Sequence, residues 1–515
     1  MKKLRTALKS KNFPFWITDK YIYAMLFIFP LFTGFHGYTQ VTVSKYIFFA
    51  SITSLWLAAL LIGVINAKLR ISLKHLDTIS FLLIFYFFFC CVSSVFSPFK
   101  ASVIFGKGRF DGLVTIFLCT CICLGVARFA RPKPAYIYAA VASSSLNCIV
   151  AVIQLFGLNP LKLFPGEYTY FDAGTKFSSV FLGTIGNADL FSALLCLALP
   201  LTAVYYITSE KRQTALLFAI ALSSFCLFTC RVAGGILAFI VCVVVTVPFI
   251  VTDSRRLCRM TEVLSLLCLS LFASTSFETL EQSGSVAVSF FFSRRSAALL
   301  ILSIFFIVLR FIFEGREFSQ KALRTFFLVL SVSFFAAGVI IIYYWKGTEG
   351  TVYEISQFLH GNTDDKFGSS RILIWRNVLK LVPERLLLGG GPGTLPLRLD
   401  LHFSRYVEET GKTLRSYVDN AHNDYLGILV NTGLLSLIPY MAAQCISLIK
   451  SAKAAKLSSF CACLACSLIC YWIQAFFGLG LFLVSPVMWL IWGLLLSSLR
   501  CNKKDTAYSK PAADI

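Results

Sequence analysis

The sequence predicts an all-α membrane protein with about 14 transmembrane helices and one large external loop, and three observations carry that class. Hydrophobic residues make up 57% of the 515 positions and aromatic residues 15%, while only 14% are charged, against about 25% in soluble globular proteins. The apolar residues come in blocks long enough to cross a bilayer, separated by charged punctuation. Basic residues recur in every second connection, as an alternating topology requires. A soluble enzyme is excluded. The net charge of +22, from 47 Lys+Arg against 25 Asp+Glu, would suggest nucleic acid in a soluble chain. Here the cations sit between apolar blocks, so a lipid bilayer is the expected partner and nucleic acid is not.

In chain order, residues 1–20 form a basic tail with Lys2, Lys3, Arg5, Lys9 and Lys11. Helices 1–11 occupy 21–345, with spans near 21–35, 45–66, 76–96, 112–127, 136–157, 189–208, 214–229, 233–251, 262–277, 297–313 and 325–345. Residues 346–424 form the large loop, and helices 12–14 occupy 425–499, with spans near 425–449, 457–478 and 480–499. The tail 500–515 is polar and expected to be disordered. A cytoplasmic N-terminus places Lys68/Arg70/Lys74, Arg128/Arg131/Lys133, Lys211/Arg212, Arg255/Arg256/Arg259, Arg316/Lys321/Arg324, Lys450/Lys453/Lys456 and Arg500/Lys503/Lys504 on the same side. Both termini are then cytoplasmic. The first apolar block lacks a small-residue cleavage site and reads as a retained signal-anchor. Of the spans, 262–277 has the weakest hydropathy signal.

Most of the 18 cysteines fall inside predicted spans and none in the large loop, so no disulfide framework holds that loop. Without His or acidic neighbours they read as small packing residues, not as metal ligands. The 79 residues from Lys346 to Asp424 carry ten basic and ten acidic side chains. A loop so long and so balanced in charge is a functional element.

Several residues in and near it are candidates for chemistry. Gly368-Ser-Ser-Arg371-Ile-Leu-Ile-Trp375-Arg376 reads as a helix opening at a Ser cap and lying on the membrane surface, with Ile372, Trp375, Leu379 and Val382 along one side. Arg371 then either clamps a phosphate with its guanidinium fork or touches ordinary lipid headgroups. Gly389-Gly-Gly-Pro-Gly393 is either a close-packing turn or an anion nest, the turn being favoured because the Lys-Ser/Thr of a phosphate loop is missing. Asp419-Asn-Ala-His422-Asn423-Asp424 opens the span near 425, with Asp419 or Asn420 as cap and His422 in the first turn. The helix N-terminus favours a neutral imidazole there, and a bound diphosphate would oppose it. Arg231 lies between two apolar helices, where burial calls for an anionic partner or a water-filled cavity. Arg109, in Gly106-Lys-Gly-Arg-Phe-Asp-Gly112, is a further external cation that on its own reads as a headgroup contact. Neither an Asp-x-Asp, nor a Walker sequence, nor His-Glu-x-x-His occurs, so nucleotide-driven and zinc chemistry are not expected. No cofactor and no metal is expected.

The pair Gly368-Ser-Ser-Arg371…Trp375-Arg376…Leu388-Gly-Gly-Gly-Pro-Gly-Thr394 and Ala421-His422-Asn423-Asp-Tyr425-Leu…Asn431-Thr-Gly433-Leu434 resembles the O-antigen ligase and O-antigen polymerase superfamily of bacterial membrane proteins. Weaker similarity appears in Arg109-Phe-Asp-Gly112, in Gly183-Thr-Ile-Gly186-Asn187 and around Arg231, so that the resemblance spans about 105–440. Two departures stand out: Cys230 replaces the usual Ser before the arginine, and Asn187-Ala-Asp189 replaces Asn-Pro-Asn. The resemblance implies a metal-independent glycosyltransferase that takes a glycan from undecaprenyl diphosphate on the outer face of the bacterial cytoplasmic membrane. It implies a hydroxyl acceptor, whether glycolipid, wall polymer or protein. His422, Arg371 and Arg231 would be catalytic, with the arginines holding the diphosphate and His422 engaging the acceptor hydroxyl. Arg376, Arg109 and Asn423 would complete the substrate site. A ligase is the first expectation, and a polymerase of the same superfamily the narrower alternative. A lipid-linked oligosaccharide flippase is the rival class, disfavoured because the candidate charges map to one side of the membrane and not to its middle.

Overall fold

The computed structural model describes residues 11–68, 77–164, 171–172, 175–176, 182–279, 288–290, 294–407, 412–454 and 458–508. Expectations resting on Lys2, Lys3, Arg5, Lys9, Arg70, Lys74, Lys456 and the last residues of the C-terminal tail lie outside these.

The described residues are mostly helical. Helix α1, Phe13–Tyr23, continues through a π-helical turn, Ala24–Ile28, into Phe29–Leu31. Its last carbonyls have no helical partners. Lys45 on α2, Val41–Asn66, supplies them, donating from a fully buried ammonium to Phe29 O at 3.1 Å and Pro30 O at 2.8 Å. Helix α3, Thr78–Phe96, is capped by the Asp77 carboxylate, which accepts from the Ile79 and Ser80 amides. Then follow α4, Leu113–Phe129, and α5, Pro134–Leu155. Helix α6, Ala188–Thr208, opens at an Asn187 cap and is enclosed from Leu190 to Thr208, which makes it the central post of the molecule. Around and after it come α7, Thr214–Thr229, α8, Ala233–Ile250, α9, Ser254–Ser276, α10, Arg294–Phe313, and α11, Gln320–Tyr343. Helices α10 and α11 stand at the periphery with most of their apolar surface uncovered, the exposure expected of helices that face lipid.

Within the loop region α12, Gly350–Leu359, and α13, Phe367–Leu381, are followed by α14, Asp424–Thr432. The chain ends with α15, Leu434–Ala454, α16, Ser459–Gln474, and α17, Ser485–Tyr508. Strands occur only as antiparallel pairs among the described residues: β1, Phe171–Asp172, with β2, Thr175–Lys176; β3, Phe277–Thr279, with β4, Val288–Phe290; and β5, His402–Val407, with β6, Lys412–Tyr417. The last pair runs in register from His402 opposite Tyr417 to Val407 opposite Lys412.

Nine of the described helices are long and apolar enough to cross a membrane, and four shorter apolar helices, Leu113–Phe129, Thr214–Thr229, Ser459–Gln474 and Ser485–Cys501, accompany them. The protein is a multi-pass membrane protein. Two expected elements differ. The span near 425–449 is divided at Gly433, whose φ of 81° ends α14 and allows α15 to start in a new direction. The tail after Arg500 is helical as far as Tyr508, as an extension of α17.

The weak hydropathy near 262–277 has a structural cause. Glu262 on α9 is buried and gathers cations, accepting from Arg212 Nη2 at 2.9 Å and Arg310 Nε at 2.6 Å and from the Tyr206 hydroxyl. A polar residue among apolar helices pairs in this way because an unpaired charge is costly there. Glu262→Ala would strand two arginines, so a destabilisation of about 3–5 kcal/mol is expected. Thermal unfolding of the detergent-purified protein checks it, and an unchanged midpoint would contradict the network's role.

The loop region has its own small core, built from Ile374, Val378, Val382, Leu395, Val418, Ala421 and Val430. Apolar burial thus holds the loop region together without disulfides. The stripe differs from the expected Ile372, Trp375, Leu379 and Val382: Leu379 is half exposed, while Ile374 and Val378 face inward.

Candidate active site

The turn before Arg371 is left-handed. Gly368, Ser369 and Ser370 have φ values of 63°, 57° and 65°, so the regular helix begins at Arg371 and the expected Ser cap is absent. Arg371 is held there on two edges, its Nε donating to Phe477 O at 3.1 Å and its Nη1 to Gly368 O at 2.9 Å. Its Nη2 lies 3.8 Å from Asp189 Oδ2 in the first turn of α6.

His422 is not in the first helical turn. Asn423 is the cap of α14, its side chain accepting from the Leu426 amide at 3.0 Å, and it stands where Asp419 or Asn420 was expected. His422 precedes the cap with a φ of 47°, its amide donating to Asn420 Oδ1 at 3.0 Å. Two contacts fix this loop: the Trp375 indole on α13 donates to Ala421 O at 3.0 Å, and the Asp424 amide donates to Ala475 O at 2.8 Å. The His422 Nδ1 is buried and has no hydrogen-bond partner. Burial first, and then the nearby Arg371 guanidinium, hold the imidazole below its ordinary pKa; Arg109 acts in the same direction, while Asp189 and Asp419 oppose it. A neutral ring with an unengaged nitrogen is able to accept a proton.

Arg231 differs from expectation in being exposed. It sits at the α7–α8 junction with a φ of 55° and makes no ion pair among the described residues. The left-handed turn is what turns it out from between the helices. Its segment still lies beside the site: Gly234 packs against the Phe477 side chain, Gly235 against Ser192, and Cys196 Sγ approaches Gly235 O at 3.5 Å. Arg109 pairs with Asp419 at 2.5 Å, two residues before the His422 turn is reached. Arg376 is the member the structure sets apart. It bonds Asp365 at 2.6 Å and Thr363 at 3.4 Å, and its charge is not among those that act on His422.

Five non-glycine residues in or beside these segments, Phe110, Arg231, Ser369, Ser370 and His422, have left-handed backbones. Each costs of order 1–3 kcal/mol, a strain that clusters where function requires it. The glycine run is a packing strap: Gly390 N donates to Val430 O at 3.1 Å, Gly391 N to Asn431 O at 2.7 Å, and Ser97 Oγ to Gly390 O at 2.5 Å. The amides of Gly389, Gly390 and Gly391 are thereby spent on backbone carbonyls, Gly389 N donating to Arg385 O at 2.7 Å. A polar cavity of about 110 Å³ lies behind the strap, lined by Asp111, Thr115, Asn420, Asn423, Asp424 and Trp489 among others. Burial pushes the Asp111 carboxyl up to about 6, and one of its oxygens has no partner.

Sequence reasoning passed over three contributors. Asp189 had shown itself only as a departure from the expected Asn, and Asp419 only as a possible cap. The Ala475–Phe477 turn between α16 and α17, whose carbonyls hold both the His422 loop and Arg371, left no signal, since a backbone acceptor has no residue type.

An imidazole with a free nitrogen and a set of guanidinium groups, anchored on membrane helices and a folded loop, form a candidate site whose charge suits an anionic ligand. Residues 283–441 match the O-Antigen ligase family model. The match covers 159 of the 515 residues, and it is this segment that is similar to O-antigen ligases. Arg371, Arg376, His422 and Asn423 fall inside the match; Arg109, Asp189 and Arg231 fall outside it. No curated protein matches the chain.

Proposed function

We propose that the protein transfers a glycan from undecaprenyl diphosphate to an acceptor hydroxyl on the outer face of the cytoplasmic membrane, in cell-surface polysaccharide biosynthesis. The observation that carries this reading is the unpartnered Nδ1 of His422, set beside Arg371 in the segment similar to O-antigen ligases. With both termini cytoplasmic and 14 spans, this site faces outside.

The acceptor oxygen attacks the anomeric carbon while the bond to the diphosphate oxygen breaks, its electron pair leaving with the lipid diphosphate. His422 takes the hydroxyl proton and later yields it to solvent. Arg371 and Arg231 neutralise charge that builds on the leaving group, a task suited to a fork of fixed donors. A glycosyl diphosphate already leaves well, so the acid of the two-carboxylate glycosidase arrangement is not required. Direct displacement inverts the anomeric centre. No step needs a metal.

The test is transfer by purified protein from an undecaprenyl diphosphate-linked oligosaccharide to candidate acceptors, with the product's anomeric configuration read by NMR. Inverted product with release of lipid diphosphate is expected. One product marks a ligase and a ladder a polymerase; retained configuration excludes direct displacement, and carriage of the intact lipid across vesicles without transfer replaces the enzyme by a flippase.

A further inference from the structure

Arg371 has two neutral partners, the Phe477 and Gly368 carbonyls, and one charged one, Asp189. That carboxylate stands in the first turn of α6, where the Asn187 cap and the positive helix end favour an anion. Its reach is wider than one contact. Its charge acts on His422 and on Cys230, the neighbour of Arg231, and Gly235, which follows Arg231 on α8, packs against Ser192 three residues further along α6. A single carboxylate thus stands beside Arg371 and close enough to the imidazole to act on its charge. The contact is loose, at 3.8 Å, and both side chains keep some exposure, 20% for Arg371 and 28% for Asp189. It is built to be broken.

We propose that Asp189 is a resident counter-anion of the diphosphate site. It holds Arg371 while the site is empty, yields it to the donor, and by returning helps expel the lipid diphosphate after transfer. This inference rests on the function proposed above and adds the step after chemistry. The donor diphosphate is a diester, whereas the released lipid diphosphate has a terminal phosphate with a second ionisation near pH 6, hence up to about one more negative charge near neutrality. Arginines that hold the donor therefore hold the product more tightly. A carboxylate competing for the same guanidinium weakens both, and the product is where that matters, because slow release limits turnover. The Asn usual at this position in the resembling family has no charge to compete with.

The experiment compares full-length wild type with Asp189→Asn and Asp189→Glu, first in binding of undecaprenyl diphosphate in nanodiscs and then in pre-steady-state transfer. In Asp189→Asn the affinity for undecaprenyl diphosphate is expected to rise about 2- to 5-fold, as for loss of a partly exposed ion pair. The donor KM falls with it. Steady-state kcat falls as well, and a burst of about one product per site precedes it, while Asp189→Glu returns towards wild type. Unchanged affinity in Asp189→Asn overturns the proposal, because the contact is then idle. Weakened lipid-diphosphate binding overturns it too and makes the carboxylate structural, as does a single-turnover rate that collapses without a burst and makes it a base. Should wild type transfer no glycan from any donor, the proposed function fails separately. The binding comparison then still decides the part played by Asp189.

Discussion

His422→Ala is expected to lower kcat by about 10²–10⁴-fold, the usual contribution of a positioned base, with a much smaller effect on donor KM. The split follows from the geometry. The imidazole's free Nδ1 is set for a proton, while Arg371 and Arg231, to which the proposed function assigns the diphosphate, remain when the ring is removed. Since Asn423 and not His422 caps α14, the substitution leaves the helix start intact. The left-handed backbone at position 422 is strained for alanine as for histidine, so the folded state is not relieved selectively. Single-turnover transfer with a saturating donor is the measurement; a proportional rise in KM with kcat unchanged would remove His422 from the chemistry.

Arg371→Ala is expected to cost about 10²–10³-fold in kcat/KM, as loss of one preorganised charge-stabilising donor does. It carries a second, directional signature. Burial and the Arg371 charge both keep the His422 pKa low, so wild-type activity is full near neutrality and is lost only as pH falls through a value below that of ordinary histidine. Removing the guanidinium removes one of the lowering influences. The residual activity of the variant should then fail at a higher pH than wild type does. A kcat/KM profile from about pH 4.5 to pH 8 checks both claims, and an acid limb that stays in place would mean that the two side chains do not interact. The substitution also frees the Phe477 carbonyl, and a thermal midpoint measured beside the kinetics distinguishes local loss of packing from loss of charge.

Much of this was legible in the sequence because it rests on side-chain type and spacing. Hydropathy located the helical regions, including the central α6, and the charge-poor spans anticipated a site gathered at one end. Arg371, Arg231, Arg109 and His422 were recognisable as candidates, and the structure brings their segments together. What escaped was conformation. A Ser before a helical pattern signals a cap, yet Ser369 and Ser370 adopt left-handed backbones that move the helix start to Arg371. The Asx-rich run Asp419–Asp424 offers several caps, and only tertiary contacts to Trp375 and Ala475 decide that Asn423 is the one used. Arg376, one position along the helix from Trp375, turns towards Asp365, an orientation that spacing alone does not reveal.

The turn at Ala475–Phe477 bears on how such a protein is rearranged by recombination. Residues 283–441 read as a transferable module, since they contain both Arg371 and His422. Yet the carbonyls that fix those residues belong to a turn 34 positions and more beyond the module's end, and Arg371's carboxylate neighbour belongs to α6, far before its beginning. An exchange of the module alone would carry the reactive side chains into a scaffold without their supports. Viable exchanges must therefore bring along the final two helices, or else occur only between scaffolds that offer backbone acceptors in the same places.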